Sequence, residues 1–486
     1  MKYILALDAG TTSVRAMLYD FASKKFVYTS QQEVAQSFPQ SGWVEQDASE
    51  IYFKAAYTIN SCVSHVGAEN ILGIGIANQR ETVVLWNRDT GEPIAPAIVW
   101  QCRRTSEFCD TIPAEMRLKI RQKTGLPVDA YFSASKIKWL LEHTPEAKKL
   151  LKEGNLCAGT IDSYLIFKLT GNFYTDHTNA SRTMLLNIKS LDWDDELLEY
   201  FGIPRDILPE VMSCTARMGE ALLGNRKIPV AGVAGDQQAA LFGQTCLKEG
   251  DAKITYGTGL FLLFNTGSHC VESLGGLITT IGYTIGDKTV YALEGSAFNA
   301  GSSIQWLRDG LRILKSSEES EEVAKSVPNT GGVYFVPAFT GLGAPHWDSD
   351  ARGLLCGITR GTERAHIVRA VLESIAYNAR ELFDCMQQDS GISLREIKCD
   401  GGASANNFLM QFQSDVLGIS VDRPIEREST ALGAALLCAL SLGLVKEDEI
   451  ETLRQSERVF TPSGERKSME KGYAEYLLAV KRAILR

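Results

Sequence analysis

The first stretch whose side chains could do chemistry is DAGTTSVR, from Asp8 to Arg15. It follows the apolar run YILAL, so a strand ends at a carboxylate and leads into a glycine turn with three hydroxyl side chains. Backbone N–H groups in such turns bind anions, and a carboxylate at the tip can hold Mg²⁺ through water. The stretch therefore predicts a metal contact at Asp8 and a phosphate site formed by Thr11, Thr12, Ser13 and Arg15. It lacks the GxxxxGK[ST] form of a P-loop.

A second glycine–threonine turn occurs in the other half of the chain. AKITYGTGLFLLFNTG, from Ala252 to Gly267, again gives a strand, a turn and a strand, with little identity to the first stretch. Two such hairpins predict two halves that face each other across a cleft, where both turns could contact the phosphates of one nucleotide. Another apolar run, KIPVAGVAGD, ends at Asp236 and is followed by a helical pattern. We expect the boundary just after that helix, which divides the chain into residues 1–246 and 247–486.

Length and composition limit the class of protein. At 486 residues the chain is long enough for two or three domains, and 44% hydrophobic residues with 42 glycines are typical of a globular α/β enzyme. The net charge of −9 argues against a nucleic-acid or anionic-membrane partner. The eleven cysteines form no CxxC pair, which predicts buried, reduced thiols. No apolar run is long enough for a signal peptide or a membrane span, so we expect a cytoplasmic protein.

The elements that must position these residues follow from the periodicity. The first 30 residues predict antiparallel strands, and ILGIGIAN and TVVLWN predict two further strands. SASKIKWLLEHTPEAKKLL and ERAHIVRAVLESIAYNARELFD have helical spacing. The C-terminal MEKGYAEYLLAVKRAIL has one apolar helix face, which predicts packing on its own domain.

Two longer stretches resemble the signatures of the FGGY carbohydrate kinases. They are YFSASKIKWLLEH, from Tyr131 to His143, and GLLCGITRGTERAHIVRAVLES, from Gly353 to Ser374. NQRETVVLWNRDTGEPIAPAIVWQCRRT, AGDQQAALFGQ and DGGASANNFLMQFQSDVLG resemble the subgroup of that family that acts on glycerol. The resemblance implies an α/β fold of two ribonuclease-H-like domains, as in actin and hexokinase. It also implies that ATP binds in the cleft with Mg²⁺ and that glycerol is the acceptor.

The resemblance assigns a polyol site residue by residue. Carboxylates accept from hydroxyls, an arginine donates, and aromatic faces cover the C–H side of a small triol. The residues so assigned are Arg80, Glu81, Tyr131, Asp236 and Gln237, with Trp100 and Phe261 as apolar walls. Asp236 is also assigned as the general base and as a second contact to the metal's water shell.

The resemblance assigns the nucleotide site in the same way. The first phosphate loop is the DAGTTSVR turn already described. The second loop and the adenosine site are assigned to Gly257, Thr258, Gly259, Gly301, Gln305, Gly402 and Asn406. One departure from the family pattern is Ala9, where glycerol-specific members usually have glutamine. Since the strand pleat turns position 9 away from the side of Asp8, we expect little effect on the metal contact.

Two other functions stay open from the sequence. One is an FGGY kinase for another polyol or a ketose, which Glu81 and Trp100 argue against. The other is a non-metabolic ATPase of the actin type, which would turn over ATP without regard to glycerol. The sequence also leaves a homo-oligomer open. Family members with a GTR loop bind fructose 1,6-bisphosphate there, but this chain has GNRK, from Gly224 to Lys227, in that region. We expect it to be insensitive to that effector.

Overall fold

The computed structural model describes residues 2–348 and 350–484. Within these ranges, no helix is both long and apolar enough to cross a membrane. All eleven cysteines are free thiols, and eight of them are buried, as the composition predicted.

Among its described residues, the N-terminal half contains fourteen strands and nine α-helices. The strands are β1 (Tyr3–Ala9), β2 (Ser13–Asp20), β3 (Lys25–Glu33), β4 (Glu45–Gln46), β5 (Ile71–Asn78), β6 (Val83–Asn87), β7 (Ala97–Ile98), β8 (Leu156–Thr160), β9 (Tyr174–Asp176), β10 (Leu186–Asn187), β11 (Asp192–Trp193), β12 (Glu210–Met212), β13 (Arg217–Leu223) and β14 (Arg226–Gly235). The helices are α1 (Ala48–Val66), α2 (Ser106–Thr111), α3 (Ala114–Thr124), α4 (Ser133–His143), α5 (Pro145–Glu153), α6 (Ile161–Thr170), α7 (His177–Ala180), α8 (Asp195–Phe201) and α9 (Asp236–Gly243).

The C-terminal half contains nine strands and six helices among the described residues. The strands are β15 (Asp251–Tyr256), β16 (Leu260–Gly267), β17 (Ile278–Ile285), β18 (Lys288–Ala297), β19 (Tyr334–Val336), β20 (Leu354–Cys356), β21 (Glu396–Asp400), β22 (Val421–Pro424) and β23 (Ser456–Phe460). The helices are α10 (Gly301–Gln305), α11 (Glu319–Lys325), α12 (Arg364–Ser390), α13 (Asn407–Leu417), α14 (Ser429–Ser441) and α15 (Arg466–Ile484), and a π-helical turn, Trp306–Gly310, follows α10.

Each half is built on one large mixed sheet, and the two sheets have the same central arrangement. The N-terminal sheet has the order β13-β14-β5-β1-β2-β3, and the C-terminal sheet has the order β17-β18-β16-β15-β21-β22-β23. In each sheet, the first strand of a hairpin (β1 of β1–β2, or β15 of β15–β16) has a parallel strand on its other side (β5 or β21). The repeated hairpin that the sequence indicated is therefore confirmed as a repeated piece of topology.

The sheet register brings the predicted chemistry to one edge. Strands β1, β5 and β14 are parallel, with Asp8 opposite Ala77 and Gly235 opposite Asn78. Because parallel strands end at the same edge of a sheet, Asp8, Arg80 and Asp236 converge there although they are far apart in the chain.

Helix α14 of the C-terminal half packs directly on the N-terminal sheet and on α9. A Cβ at Gly433 would lie 1.8 Å from the carbonyl oxygen of Ala239, and one at Gly243 would lie 2.1 Å from that of Ser429. The two helices therefore touch backbone to backbone, which only glycine permits at these positions.

One sequence prediction differs in detail from the structure. The signature helix ends at His143, and a second helix begins at Pro145, because proline lacks the N–H that a continuous helix needs. The strand predicted from TVVLWN is confirmed as β6, which belongs to a separate four-stranded sheet of order β4-β7-β6-β8. The C-terminal helix packs as predicted, with Tyr473, Tyr476 and Val480 buried.

Candidate active site

Asp236 stands at the start of α9, directly after the buried strand β14. Its Oδ1 accepts the N–H of Gln237 at 2.7 Å and lies 3.3 Å from Nε of Arg80. Burial raises the pKa of Asp236, Arg80 and the Gln237 N–H oppose that shift, and the nearby charge of Asp8 adds to it. With 31% of its side chain exposed, Asp236 is a carboxylate with a raised pKa that solvent can reach.

Arg80 and Glu81 follow β5 and are buried, at 3% and 1% exposure. Glu81 has a left-handed backbone with φ of +61°, a conformation that costs free energy for a residue with a side chain. Two side chains of α4 fix its carbonyl: Ser133 Oγ donates at 3.2 Å and Lys136 Nζ at 3.1 Å. The signature helix thus holds the segment that carries the predicted polyol contacts.

Two of the three aromatic residues predicted for the polyol site are adjacent. Trp100 and Tyr131 pack edge to face with ring centroids 5.6 Å apart. Trp100 Nε1 also donates to the hydroxyl of Thr11 at 2.9 Å, which ties this aromatic wall to the first predicted phosphate loop.

The structure adds two charged residues that the sequence analysis missed. Arg182 donates from Nε to Glu81 Oε1 at 2.6 Å and from Nη2 to Glu294 Oε1 at 3.0 Å. Glu294, on β18, also accepts from both terminal nitrogens of Arg80. Burial disfavours the charge of Glu294, but Arg182 and Arg80 outweigh that effect and lower its pKa to about 2. The signal for Glu294 was one acidic residue inside the apolar run VYALEGSAF.

Lys253, on β15, is a third residue that was missed. It is fully buried and donates to Gln237 Oε1 and to Thr255 Oγ1. Burial lowers its pKa, and the charges of Asp400 and Asp236 oppose that shift. Gln237, predicted to contact the polyol, is therefore oriented from the C-terminal half.

The first predicted phosphate loop joins β1 to β2. Arg15 stands opposite Asp8 in the hairpin, donates to Asp8 Oδ2 at 2.6 Å and also reaches Glu428 Oε2 at 2.5 Å. Its guanidinium is thus held by two carboxylates, and its predicted phosphate contact stays a prediction. Ala9, the departure from the family pattern, is fully buried in the core, on the opposite side of the strand from Asp8.

Most of the predicted nucleotide residues of the C-terminal half line one cavity of about 370 Å³. They are Gly257, Thr258, Gly301, Gln305, Gly402 and Asn406. This volume is in the range of small-ligand sites. Gly259 does not line the cavity. A Cβ there would lie 2.5 Å from the carbonyl oxygen of Ala297, so packing is by itself sufficient to require glycine at this position. Asn406 also caps α13, because its Oδ1 accepts from the N–H of Leu409.

Models of the FGGY family of carbohydrate kinases match both halves: the N-terminal domain over residues 3–243 and the C-terminal domain over residues 252–442. The chain belongs to the FGGY family of carbohydrate kinases. It is 53% identical to a glycerol kinase of Treponema denticola, over 99% of each chain. It is 50% identical to glycerol kinase 2 of Thermotoga maritima, over 100% of this chain and 99% of the relative.

Solved structures of FGGY kinases agree with this fold. A Plasmodium falciparum glycerol kinase with ADP superposes with a TM-score of 0.95 at 40% identity, over 100% of this chain and 99% of that one. A xylulose kinase from Lactobacillus acidophilus, at 23% identity and a TM-score of 0.88 over 99% and 98% of the chains, shows the fold alone. The predicted family and two-domain ATPase fold are confirmed.

The carboxylates of this FGGY kinase fit a magnesium ion held mainly through water. Asp8 and Asp236 lie at one edge, and their charges are close enough for Asp8 to raise the pKa of Asp236. Among residues 2–348 and 350–484, no three His, Cys, Asp or Glu side chains form a metal cluster. Mg²⁺ keeps several waters and needs only one or two protein carboxylates beside substrate phosphates, so two are sufficient.

Proposed function

We propose that this FGGY kinase transfers the γ-phosphoryl group of ATP to a terminal hydroxyl of glycerol, giving glycerol 3-phosphate and ADP. The observation that carries the proposal is the position of Asp236, which lies beside Arg80 at the edge where β1, β5 and β14 end. The chain is 53% and 50% identical to two glycerol kinases over nearly its whole length, which supports glycerol as the acceptor.

Asp236 acts as the general base of this reaction. The acceptor hydroxyl gives its proton to Asp236 as its oxygen bonds to the γ-phosphorus, and the bond to the oxygen that leaves with ADP breaks. Burial makes Asp236 a stronger base than an ordinary aspartate. Phosphoryl transfer depends mainly on alignment and charge neutralisation, so orientation of the acceptor matters as much as its deprotonation.

Arg80, Glu81 and Gln237 bind the hydroxyls of glycerol. Arg80 donates, Glu81 accepts, and the Gln237 amide can do both. Trp100 and Tyr131 from one half and Phe261 from the other cover the C–H side. Both halves contribute to this site, so their closure around glycerol excludes water, which would otherwise compete as the acceptor.

The phosphates of ATP lie between the two glycine–threonine turns. Thr11, Thr12 and Ser13 donate from one side, and the Gly257–Gly259 turn donates from the other. Asp8 and Asp236 would hold Mg²⁺ mainly through its water, and the ion would supply positive charge that offsets the charge of the phosphate oxygens. Ribose and adenine occupy the cavity lined by Gly301, Gln305, Gly402 and Asn406.

We also propose two domains, residues 1–246 and 247–486, and a cytoplasmic location. The first half carries the acceptor site and the base, and the second half carries the adenosine cavity. A homo-oligomer stays compatible with this function.

A coupled assay of ADP release tests the proposal. We expect rapid ADP release with glycerol and slow release without it, and weaker turnover with tetritols, pentitols and pentuloses. Faster turnover of any of these than of glycerol would refute the assignment of the acceptor. Equal ADP release with and without every polyol would indicate an ATPase of the actin type instead.

A further inference from the structure

Glu294 belongs to the C-terminal half, yet its carboxylate contacts two arginines of the N-terminal half. Arg80 donates from Nη1 to Oε2 at 2.5 Å and from Nη2 to Oε1 at 3.1 Å, and Arg182 Nη2 donates to Oε1 at 3.0 Å. All three side chains are at most 3% exposed. A buried charge of this kind persists only when its partners are present.

These three residues and Glu81 form a closed ring of charges. Arg182 Nε lies 2.6 Å from Glu81 Oε1, and Arg80 Nε lies 3.8 Å from the same oxygen. The positive charges of the two arginines balance the negative charges of the two glutamates. Glu294 is the member of the ring that the C-terminal half supplies. Without its charge, two buried arginines would share Glu81 alone within the ring.

The strand pattern places Glu294 beside the predicted polyol wall. On β18, Glu294 and Ser296 are two residues apart and face the same side of the sheet. Ser296 stands opposite Phe261 on β16, so Phe261 and Glu294 share one face. This face of the C-terminal sheet therefore carries both an aromatic wall and the carboxylate that holds Arg80.

We propose that Glu294 is a positioning residue of the acceptor site, and that the site is complete only when the C-terminal half brings Glu294 to Arg80 and Arg182. This inference rests on the proposed function. Glu294 holds the Nη1–Nη2 edge of Arg80, which leaves the Nε edge turned toward Asp236 at 3.3 Å. Without Glu294, the Nη1–Nη2 edge of Arg80 loses its carboxylate and turns to the two that remain, Asp236 and Glu81. Arg80 then no longer presents a fixed donor to the acceptor.

Glu294→Gln tests this role, because it keeps the shape and removes the charge. We expect the KM for glycerol to rise at least tenfold, kcat to fall, and the KM for ATP to change less than about twofold. The rise in unfolding temperature caused by glycerol should be lost, while the rise caused by ADP remains. Glu373→Gln is the matched control, since Glu373 is also buried, at 7% exposure, and paired with an arginine, Arg369, on α12. It should leave both KM values unchanged.

Equal rises in both KM values, or a lower unfolding temperature with unchanged KM for glycerol, would overturn the inference, since either indicates a purely structural role. If Glu294→Gln does not fold, Glu294→Asp keeps the charge and takes its place. Glu294→Asp should also raise the KM for glycerol more than the KM for ATP, but by a smaller factor. An unchanged KM for glycerol in Glu294→Asp would then overturn it. Absence of glycerol turnover in the wild type refutes the proposed function instead, and the variants are then compared on the polyol that is turned over.

Discussion

Replacing Asp236 by Asn isolates the proton transfer from the geometry of the site. Asn keeps an oxygen that can accept from the Gln237 N–H, at 2.7 Å, and that lies 3.3 Å from Arg80 Nε, so the side chain should stay in place. It loses the negative charge and the base. General-base removal costs about 10²–10⁴ in rate, which corresponds to roughly 3–5 kcal/mol of transition-state stabilisation.

The same variant should fold at least as well as the wild type at neutral pH. The folded-state pKa of Asp236 is raised, so the stability that its protonated form contributes is present at low pH and is lost as pH rises through that pKa. A neutral Asn avoids this loss. The unfolding temperature at pH 7 should therefore be unchanged or higher.

Three measurements distinguish a general base from a structural residue at position 236: steady-state rates, ADP affinity by calorimetry, and thermal unfolding. We expect kcat to fall by two to four orders of magnitude, with ADP binding and unfolding temperature retained. A kcat within tenfold of the wild type would refute Asp236 as the base. A large loss of unfolding temperature would show that the side chain is needed for folding.

Three further predictions follow from particular contacts. Arg80→Ala removes a donor to the hydroxyls of glycerol and leaves Glu294 without one of its two arginine partners. The KM for glycerol should therefore rise about 5- to 150-fold, from roughly 1–3 kcal/mol, while the KM for ATP stays nearly constant. Equal changes in both would mean that Arg80 is structural. Gly433→Ala places a methyl group 1.8 Å from the carbonyl oxygen of Ala239, so α9 and α14 must separate. It should lower the free energy of unfolding by roughly 1–3 kcal/mol. Exposed Gly361→Ala should be nearly neutral in the same denaturant titration. Fructose 1,6-bisphosphate at millimolar concentration should not change the rate of phosphorylation. Lys227 lies in an exposed hairpin and pairs weakly with Glu220, and binding by charge alone is screened by salt. Inhibition that persists at moderate salt would contradict this prediction.

Local patterns predicted much of the fold. The apolar runs that end at Asp8 and Asp236 are β1 and β14, and the glycine–threonine hairpins are the matching β1–β2 and β15–β16 pairs. Pairing between distant strands, such as the parallel contact of β1 with β5, leaves little local trace. The topology could therefore be predicted only from the family resemblance.

Residues whose role depends on contacts across the cleft were the ones that the sequence did not reveal. Glu294 and Lys253 lie among apolar neighbours in strands, and only the opposing half shows that they hold Arg80 and Gln237. Arg182 lies in a short turn region after α7, where an arginine is usually solvated, but here it is fully buried between two glutamates. Such roles follow from the packing of two domains and not from spacing along one chain.

Transfer of the γ-phosphoryl group from ATP to glycerol can be followed by ³¹P NMR of the reaction. The wild-type enzyme would be mixed with ATP, Mg²⁺ and glycerol, and the phosphorus resonances followed with time. We predict that ADP and glycerol 3-phosphate form in equal amounts, with little inorganic phosphate. Inorganic phosphate as the main product, formed at the same rate without glycerol, would contradict the account.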